Sequence, residues 1–562
     1  MQKRIVIIGG SAAGPKAAAR ARRMDDFAEI TLFQKGSDLS MASCGFPYFV
    51  GGFFDERNQL LCTPTGVVRD PKFYWNAKGI IAKVNTEVTK IDRKNKRIEF
   101  IDHTTGEKGT QEYDKLVITT GATANMPPIT GINLEGITTL QSMQDADYLR
   151  KIRDEGKIKK AVVIGGGLIG IETLEALHLA GIELTMIELL PQLLTFLDWK
   201  LAKFVENYLK TKANVITNNG VAEFLGENGK LVGVKLKSGT EIPCELAVVA
   251  IGVKPNVKLA AEAGIEIGKL GGILVNEYMQ TSDKDIYAGG DCCEVKNIIS
   301  GKNVLAPYGD LANLEGRVIG DNVIKGNTAT FPGTQQTGIC KLFDYGIGIT
   351  GLSETKAIEA GFDYVKVINA SPDKPGFMNG KLLISKLIAE KNTGRILGVQ
   401  CAGPGDVSKQ LAIWAVAIKG NLTVDDMANA DLPYAPPYSL AIDHSIASAH
   451  ILQNKMNGIF EGISAMELKE KLDNKEDMYI LDTRGADEYE QTRLGIGETL
   501  IPIGLLRKRL NELPENKDKQ IITFCKISLR GYEAAVMLKA HGYTKVKVLE
   551  GGIAAWPYEK EK

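Results

Sequence analysis

The chain has 562 residues, of which 44% are apolar and 24% charged, ordinary globular values in a chain long enough for several separate cores. Its 68 basic and 68 acidic side chains cancel, so no net field draws it to nucleic acid or to an anionic membrane. No apolar run approaches the ~18–20 residues of a membrane span. The eight cysteines show neither a paired framework nor metal-ligand spacing, so no metal and a reducing, cytoplasmic setting are expected.

Residues 4–23 read as strand, tight turn and helix. Ile5-Val6-Ile7-Ile8 has the continuous apolar run of a buried parallel strand. Gly9 permits the sharp turn and Gly14 the close packing of the helix, whose N-terminus then offers free N–H groups to a pyrophosphate. Ser11 stands where the dinucleotide fingerprint has its middle glycine, and Ala12 follows it. An acid for the ribose hydroxyls is expected about 20 positions on. The next strand ends instead in Gln34-Lys35, and Gln34 can bond a ribose without charge assistance.

Cys44 then stands alone in Ser40-Met-Ala-Ser43-Cys44-Gly45-Phe46-Pro47-Tyr48. A Cys-x4-Cys partner would fall at position 49, which is Phe49, and the next cysteine is Cys62. Cys44 therefore has to cycle with an external sulfur or oxygen partner. Residues 88–100 read as a charged-turn hairpin, and 115–131 as a buried strand ending in Gly121 before Pro127-Pro128.

A second strand–loop–helix unit occupies 160–180, with the full fingerprint Gly165-Gly166-Gly167-Leu168-Ile169-Gly170. The strand after it ends in Glu188, an acid suited to a free 2′-hydroxyl, and no arginine waits there for a 2′-phosphate; NADH is expected over NADPH. Residues 230–256 repeat the earlier plan of hairpin, buried strand, Gly252 and Pro255. This is an internal duplication, one dinucleotide domain inserted in another. At 281–295 a short strand, Ile286-Tyr287-Ala288, delivers Asp291 after Gly289-Gly290, the pattern of an aspartate that binds the ribitol of FAD. A strand-rich region with one long apolar helix follows to about 452, and the last hundred residues have an α/β pattern of their own.

The lone-cysteine motif, the paired nucleotide motifs, Tyr434-Ala435-Pro436-Pro437-Tyr438 and the tail resemble the single-cysteine branch of the pyridine nucleotide–disulfide oxidoreductases. Within it the chain is most similar to the coenzyme A-disulfide and NADH-dependent persulfide reductases that carry a C-terminal rhodanese domain. The resemblance implies an α/β protein with two doubly wound dinucleotide-binding domains, an α+β dimerisation domain and an α/β rhodanese domain. The boundaries expected are 1–114 and 256–328 for the FAD domain, 115–155 for its return and linker, and 156–255 for the NAD domain. Residues 329–452 would form the dimerisation domain, 453–462 a linker and 463–562 the rhodanese domain.

By the same resemblance the enzyme is a homodimer. Lys16, Arg20, Arg23, Ser40, Ser43 and Lys72 match positions that line the coenzyme A groove; Arg20 and Arg23 share one helix face and can meet phosphates. Tyr434 matches a tyrosine that protonates or orients the leaving thiolate at the other subunit's cysteine. In the tail, Cys525 ends the buried strand IITF, and the loop to the next helix is an anion cradle closed by Arg530, with Lys526 adding charge. Asp482 and Arg484 match the pair that buttresses this loop, and GGIAAW at 551–556 is the usual ending.

The activity implied is reduction of coenzyme A persulfide or polysulfide, and of coenzyme A disulfide, by NADH through FAD and Cys44, with release of sulfide and with Cys525 handling sulfane sulfur. Three positions depart from the family. Ser43 replaces a frequent asparagine, Phe377 stands where a second active-site tyrosine is expected, and Ala12 stands where the related oxidases and peroxidases carry a histidine. The alternatives are an NADH oxidase or peroxidase working through a Cys44 sulfenate, argued against by Ala12, and a redox-sensing flavoprotein.

Overall fold

Gly9 adopts φ 110° and Gly165 φ 105°, backbone conformations that side-chain-bearing residues rarely take. Each sits where a strand turns sharply into a helix. In the computed structural model, which describes residues 2–562, these two turns organise two parallel sheets. The first has the order Ile286–Ala288, Lys115–Ile118, Arg4–Ile8, Glu29–Phe33, Ile81–Lys83. The second has the order Asn214–Ile216, Glu183–Ile187, Lys160–Ile164, Leu246–Val249, Ile137–Thr138. In both, the strand before the glycine loop is central and buried on both faces, as its unbroken apolar sequence requires.

Each parallel sheet is accompanied by a three-stranded antiparallel sheet. Thr86–Asp92, Arg97–Asp102 and Lys108–Glu112 make one; Val221–Glu227, Lys230–Leu236 and Glu241–Pro243 make the other. The repeated plan read from the sequence is thus repeated in three dimensions. These elements form one compact unit, residues up to Pro191 together with Ala213–Thr334.

The second unit comprises Gln192–Lys212 and Gln335–Lys562. An antiparallel sheet runs in the order Gly338–Leu342, Tyr345–Gly351, Ile396–Gly403, Leu382–Glu390, Tyr364–Pro372. The apolar helix expected between 406 and 420 forms over Val407–Lys419, and buried Trp414 seals it to the sheet. A parallel sheet closes the chain, ordered Gly462–Ile463, Val546–Leu549, Gln520–Phe524, Met478–Asp482, Thr499–Leu500.

Two boundaries differ from those expected. The segment 453–462 is not a tether along its length: helix His444–Met456 runs through its first residues, and Gly462 already pairs with Val548. Helix Trp199–Leu209 lies inside the stretch expected to be the NAD domain, yet it packs on strands Leu382–Glu390 and Ile396–Gly403 of the second unit. The reason is ionic. Asp198, at the start of this helix, accepts from Lys386 at 2.7 Å and from the amide of Gln400 at 2.7 Å. Lys386 also pairs with Glu354, whose carboxyl, despite burial, is held down to about 2 by Lys386, Lys366 and Tyr364.

Lys386 is only 6% exposed at its side chain, so removing it strands two carboxylates in a poorly solvated site. Lys386→Met is expected to destabilise the protein by about 3–5 kcal/mol in urea unfolding. A change below about 1 kcal/mol would show the cluster to be solvated like a surface pair.

Candidate active sites

The two glycine loops are built alike. A Cβ on Gly14 would fall 2.0 Å from the carbonyl oxygen of Gly9, and one on Gly170 would fall 1.9 Å from that of Gly165, so each helix can approach its loop only without a side chain. Helices Ala13–Met24 and Leu168–Leu179 both begin without a side-chain cap. Their first N–H groups and the positive end of the helix dipole are open to an anion. A Cβ on Gly167 or Gly121 would meet no atom within 4 Å, so there is space in front of these loops. The residues fit the pyrophosphate of a dinucleotide.

Gln34 lies at the first loop, where its side-chain oxygen accepts from the N–H of Gly10 at 2.9 Å, while Lys35 pairs with Glu87 at 2.9 Å. Ser11 is exposed and Ala12 precedes the helix. Glu188 does the same service at the second loop, accepting from Gly166 N–H at 2.7 Å and Leu190 N–H at 2.8 Å. Asp291 lies half-buried after Gly290, and burial pushes its acid up from the usual range. Among the described residues no side chain donates to it. Behind it sits Glu315, missed in the sequence, which accepts from Gly290 N–H at 2.6 Å and which burial pushes up to about 8.

Cys44 lies on a single 3-10 turn, Ser43–Gly45, before the short Pro47-containing helix Phe46–Val50. Its thiol is exposed and lies by the start of helix Gly309–Lys325: a Cβ on Gly309 would be 3.7 Å from Sγ. Partial burial of the sulfur, together with Glu172, Asp291 and Asp310, pushes the thiol up from its ordinary value. The segment after it is clamped by helix Met143–Glu155. Arg150 donates to the carbonyls of Phe49 and Phe54, Arg57 bridges Asp38 and Asp147, and the Arg153 guanidinium fills the space a Cβ on Gly52 would need.

Glu172 is the residue sequence reading missed at this site. It follows the second fingerprint by two positions, so the helix start could have flagged it. Burial raises its acid to about 7 although the Tyr48 hydroxyl, 3.4 Å away, donates to it. An acid of that strength can hold or release a proton near neutrality.

The residues assigned to coenzyme A divide. Arg23 and Lys72 are exposed cations. Lys16 is half-buried, and Arg20 is already paired with Asp321 at 2.8 Å. Ser40 is buried at φ 52°, its hydroxyl bonded to that of Tyr74, so it shapes the loop rather than facing solvent. Ser43 is exposed beside Cys44.

In the second unit, Cys525 follows strand Gln520–Phe524 and is 1% exposed. The loop after it ends at Ser528, held at φ 88°, where helix Leu529–Ala540 starts without a side-chain cap. Arg530 lies next to the Cys525 thiol and forms two hydrogen bonds to Glu488, at 2.6 and 2.8 Å. This pair holds the Glu488 carboxyl down to about 2. Buried Asp482 and Arg484 pair at 2.7 Å, and Arg484 also donates to the carbonyls of Glu488 and Thr492.

Tyr434 and Tyr438 are exposed on a loop pinned by Lys409, which donates to the Tyr438 carbonyl at 3.0 Å and pairs with Asp443 at 2.7 Å. Phe377 is 78% exposed on a one-turn 3-10 helix. Among the described residues there is no group of three or more His, Cys, Asp or Glu side chains fit to hold a metal, and no helix is long and apolar enough to cross a membrane.

Residues 3–307 match the pyridine nucleotide-disulphide oxidoreductase family model. The chain belongs to this family. Residues 337–446 match its dimerisation domain, and 464–559 match a rhodanese-like domain. The solved NAD-dependent persulfide reductase of A. fulgidus is 43% identical, with a TM-score of 0.93, covering 98% of this chain and all of that one. Reduced Bacillus anthracis CoADR-RHD is 35% identical with a TM-score of 0.92, over 99% and 98% of the two chains. The NAD(P)H coenzyme A polysulfide/persulfide reductase of Pyrococcus horikoshii is 34% identical over 81% of this chain and 99% of its own. The chain is therefore a pyridine nucleotide–disulfide oxidoreductase fused to a rhodanese domain.

Glu172 raises the Cys44 thiol through its charge, so Glu172→Gln is expected to lower the thiol's pKa and speed its alkylation by iodoacetamide at pH 8, followed on the Cys44 peptide. An unchanged rate would separate the two groups.

Proposed function

We propose that this enzyme uses NADH to reduce coenzyme A persulfide or polysulfide, and coenzyme A disulfide, at Cys44, with Cys525 carrying sulfane sulfur. The observation that carries the reading is a lone exposed thiol beside the N-terminus of a long helix, in a fold with two dinucleotide loops. The likeness of the whole chain to persulfide reductases supports it. FAD would be held by Gly9, Ser11, Ala12, Gly14, Gln34, Lys35, Gly121 and Asp291, and NADH by Gly165, Gly167, Gly170 and Glu188. The carboxylate of Glu188 favours a 2′-hydroxyl over a 2′-phosphate. When bound, FAD supplies the passage of an electron pair from NADH to sulfur.

The chain's own residues handle sulfur and protons. The Cys44 thiolate attacks the inner sulfur of a coenzyme A persulfide; the sulfur–sulfur bond breaks, hydrosulfide leaves, and a Cys44–coenzyme A mixed disulfide forms. An electron pair then cleaves that disulfide into two thiolates. Glu172 stands near Cys44 to take or give the proton, and Tyr434 is assigned to the leaving coenzyme A thiolate, in a homodimer built on residues 337–446. Arg23 and Lys72 are suited to its phosphates. Cys525 takes sulfane sulfur as a persulfide, stabilised by the loop N–H groups and Arg530. Free thiols at every cysteine suit a reducing cytoplasm.

Anaerobic NADH consumption with coenzyme A persulfide, with sulfide followed in parallel, tests this. The wild type is expected to lose NADH and release sulfide in equal amounts. Cys44→Ser should abolish both, and Cys525→Ser should preserve both when the persulfide is supplied directly. Full activity in Cys44→Ser would refute the scheme.

A further inference from the structure

The loop that carries Cys525 is supported from behind by a turn of the rhodanese domain that residues outside that domain hold. The turn after strand Val546–Leu549 consists of Glu550, Gly551 and Gly552. Ile553 N–H donates to the carbonyl of Cys525 and Ala554 N–H to that of Lys526, both at 3.0 Å; Ser528 donates to the Leu549 carbonyl at 2.9 Å. A Cβ on Gly552 would lie 2.4 Å from the Cys525 carbonyl oxygen, and one on Gly551 would lie 3.0 Å from the Ile368 side chain. The turn is therefore wedged between the Cys525 loop and the antiparallel sheet of the dimerisation domain.

Glu550, the residue before these glycines, is 4% exposed and is held on three sides by that domain and by two helices packed on its sheet. Lys455 pairs with its Oε1 at 2.6 Å and Ile368 N–H donates to its Oε2 at 3.1 Å. Lys200, itself buried on helix Trp199–Leu209, donates to the Glu550 carbonyl at 2.9 Å. Asn207 of the same helix donates to the Pro557 carbonyl at 2.9 Å, and the Trp199 ring lies 5.6 Å from that of Tyr558. Buried polar atoms are costly to leave unpaired, so these bonds fix the turn's position firmly.

We infer that Glu550, gripped by Lys200 and Lys455, is a positioning residue for Cys525, so that the dimerisation domain sets the shape of the sulfur-carrying loop. This deepens the reading of Cys525 as a sulfur carrier and rests on it. The reaction that reports on the loop is balanced: the Cys525 thiolate takes the outer sulfur of thiosulfate, releasing sulfite, and cyanide removes that sulfur as thiocyanate, restoring the thiolate.

The test uses the full-length flavoprotein with Lys455→Met, Glu550→Gln and Lys200→Met, and with Lys455→Arg as the conservative control. Thiosulfate:cyanide sulfur transfer is expected to lose kcat by about tenfold, since small displacements of a reacting group cost rates of that order, with KM little changed. Lys455→Arg should restore kcat, and NADH-driven reduction of coenzyme A disulfide should be unaffected in all. The Cys525 peptide should be alkylated faster by iodoacetamide in the three weakened variants, because a loosened loop exposes a buried thiol. Unchanged kcat and unchanged alkylation in Lys455→Met and Glu550→Gln would overturn the inference. If the wild type transfers no sulfur, the carrier reading fails by itself, and the alkylation rates still decide whether the turn positions Cys525.

Discussion

Two backbone contacts decide how much of this molecule can work: the helix packed on the carbonyl of Gly9 through Gly14, and its duplicate, packed on Gly165 through Gly170. Only a missing Cβ lets the helix start that close to the end of a central strand. That closeness aims uncapped N–H groups and a helix dipole at the space beyond the sheet edge. Asp291 arrives from the parallel strand beside Lys115–Ile118, and Glu172 comes from the second helix itself.

Electrostatically the Cys44 thiolate is poorly served by its own chain. Burial and the charges of Glu172, Asp291 and Asp310 disfavour the Cys44 thiolate, and burial raises the acid of Glu172, one of these three, to about 7 and that of Glu315 to about 8. Of these two acids, Glu172 can hold a proton near the thiol at neutral pH. Cys525 has other neighbours: it is buried, with the Arg530 guanidinium beside it, and its loop is hung on a glycine turn that the dimerisation domain grips. The two cysteines proposed for reduction and for sulfur carriage thus have different surroundings, one exposed among acids and one buried beside a guanidinium.

Much of this was legible in the sequence because it follows from local rules. Unbroken apolar runs mark the central strands, glycine spacing marks both loops, and the isolation of Cys44 in the sequence leaves it no neighbouring cysteine. The strand–loop–helix around Cys525 was equally plain. What the sequence hid depends on contacts between distant positions. Nothing in Trp199–Leu209 says that it leaves the nucleotide domain, because its anchor, Lys386, lies far along the chain. Arg20 reads as a free cation until Asp321 is seen against it, and Ser40 reads as a ligand until Tyr74 takes its hydroxyl. Glu315 was hidden because only burial gives it its character. The expected linker at 453–462 looked polar enough to be loose, yet its start completes a helix that lends Lys455 to Glu550.

The central claim is that one thiol, Cys44, works with an external sulfur partner. The most direct measurement is the mass of the Cys44 peptide after the NADH-reduced enzyme is mixed anaerobically with coenzyme A disulfide and quenched in acid. Coenzyme A attached to Cys44 through a bond cleaved by reductant is the predicted result. A disulfide between Cys44 and another cysteine of the chain, or a Cys44 left unmodified while coenzyme A disulfide is consumed, would contradict it.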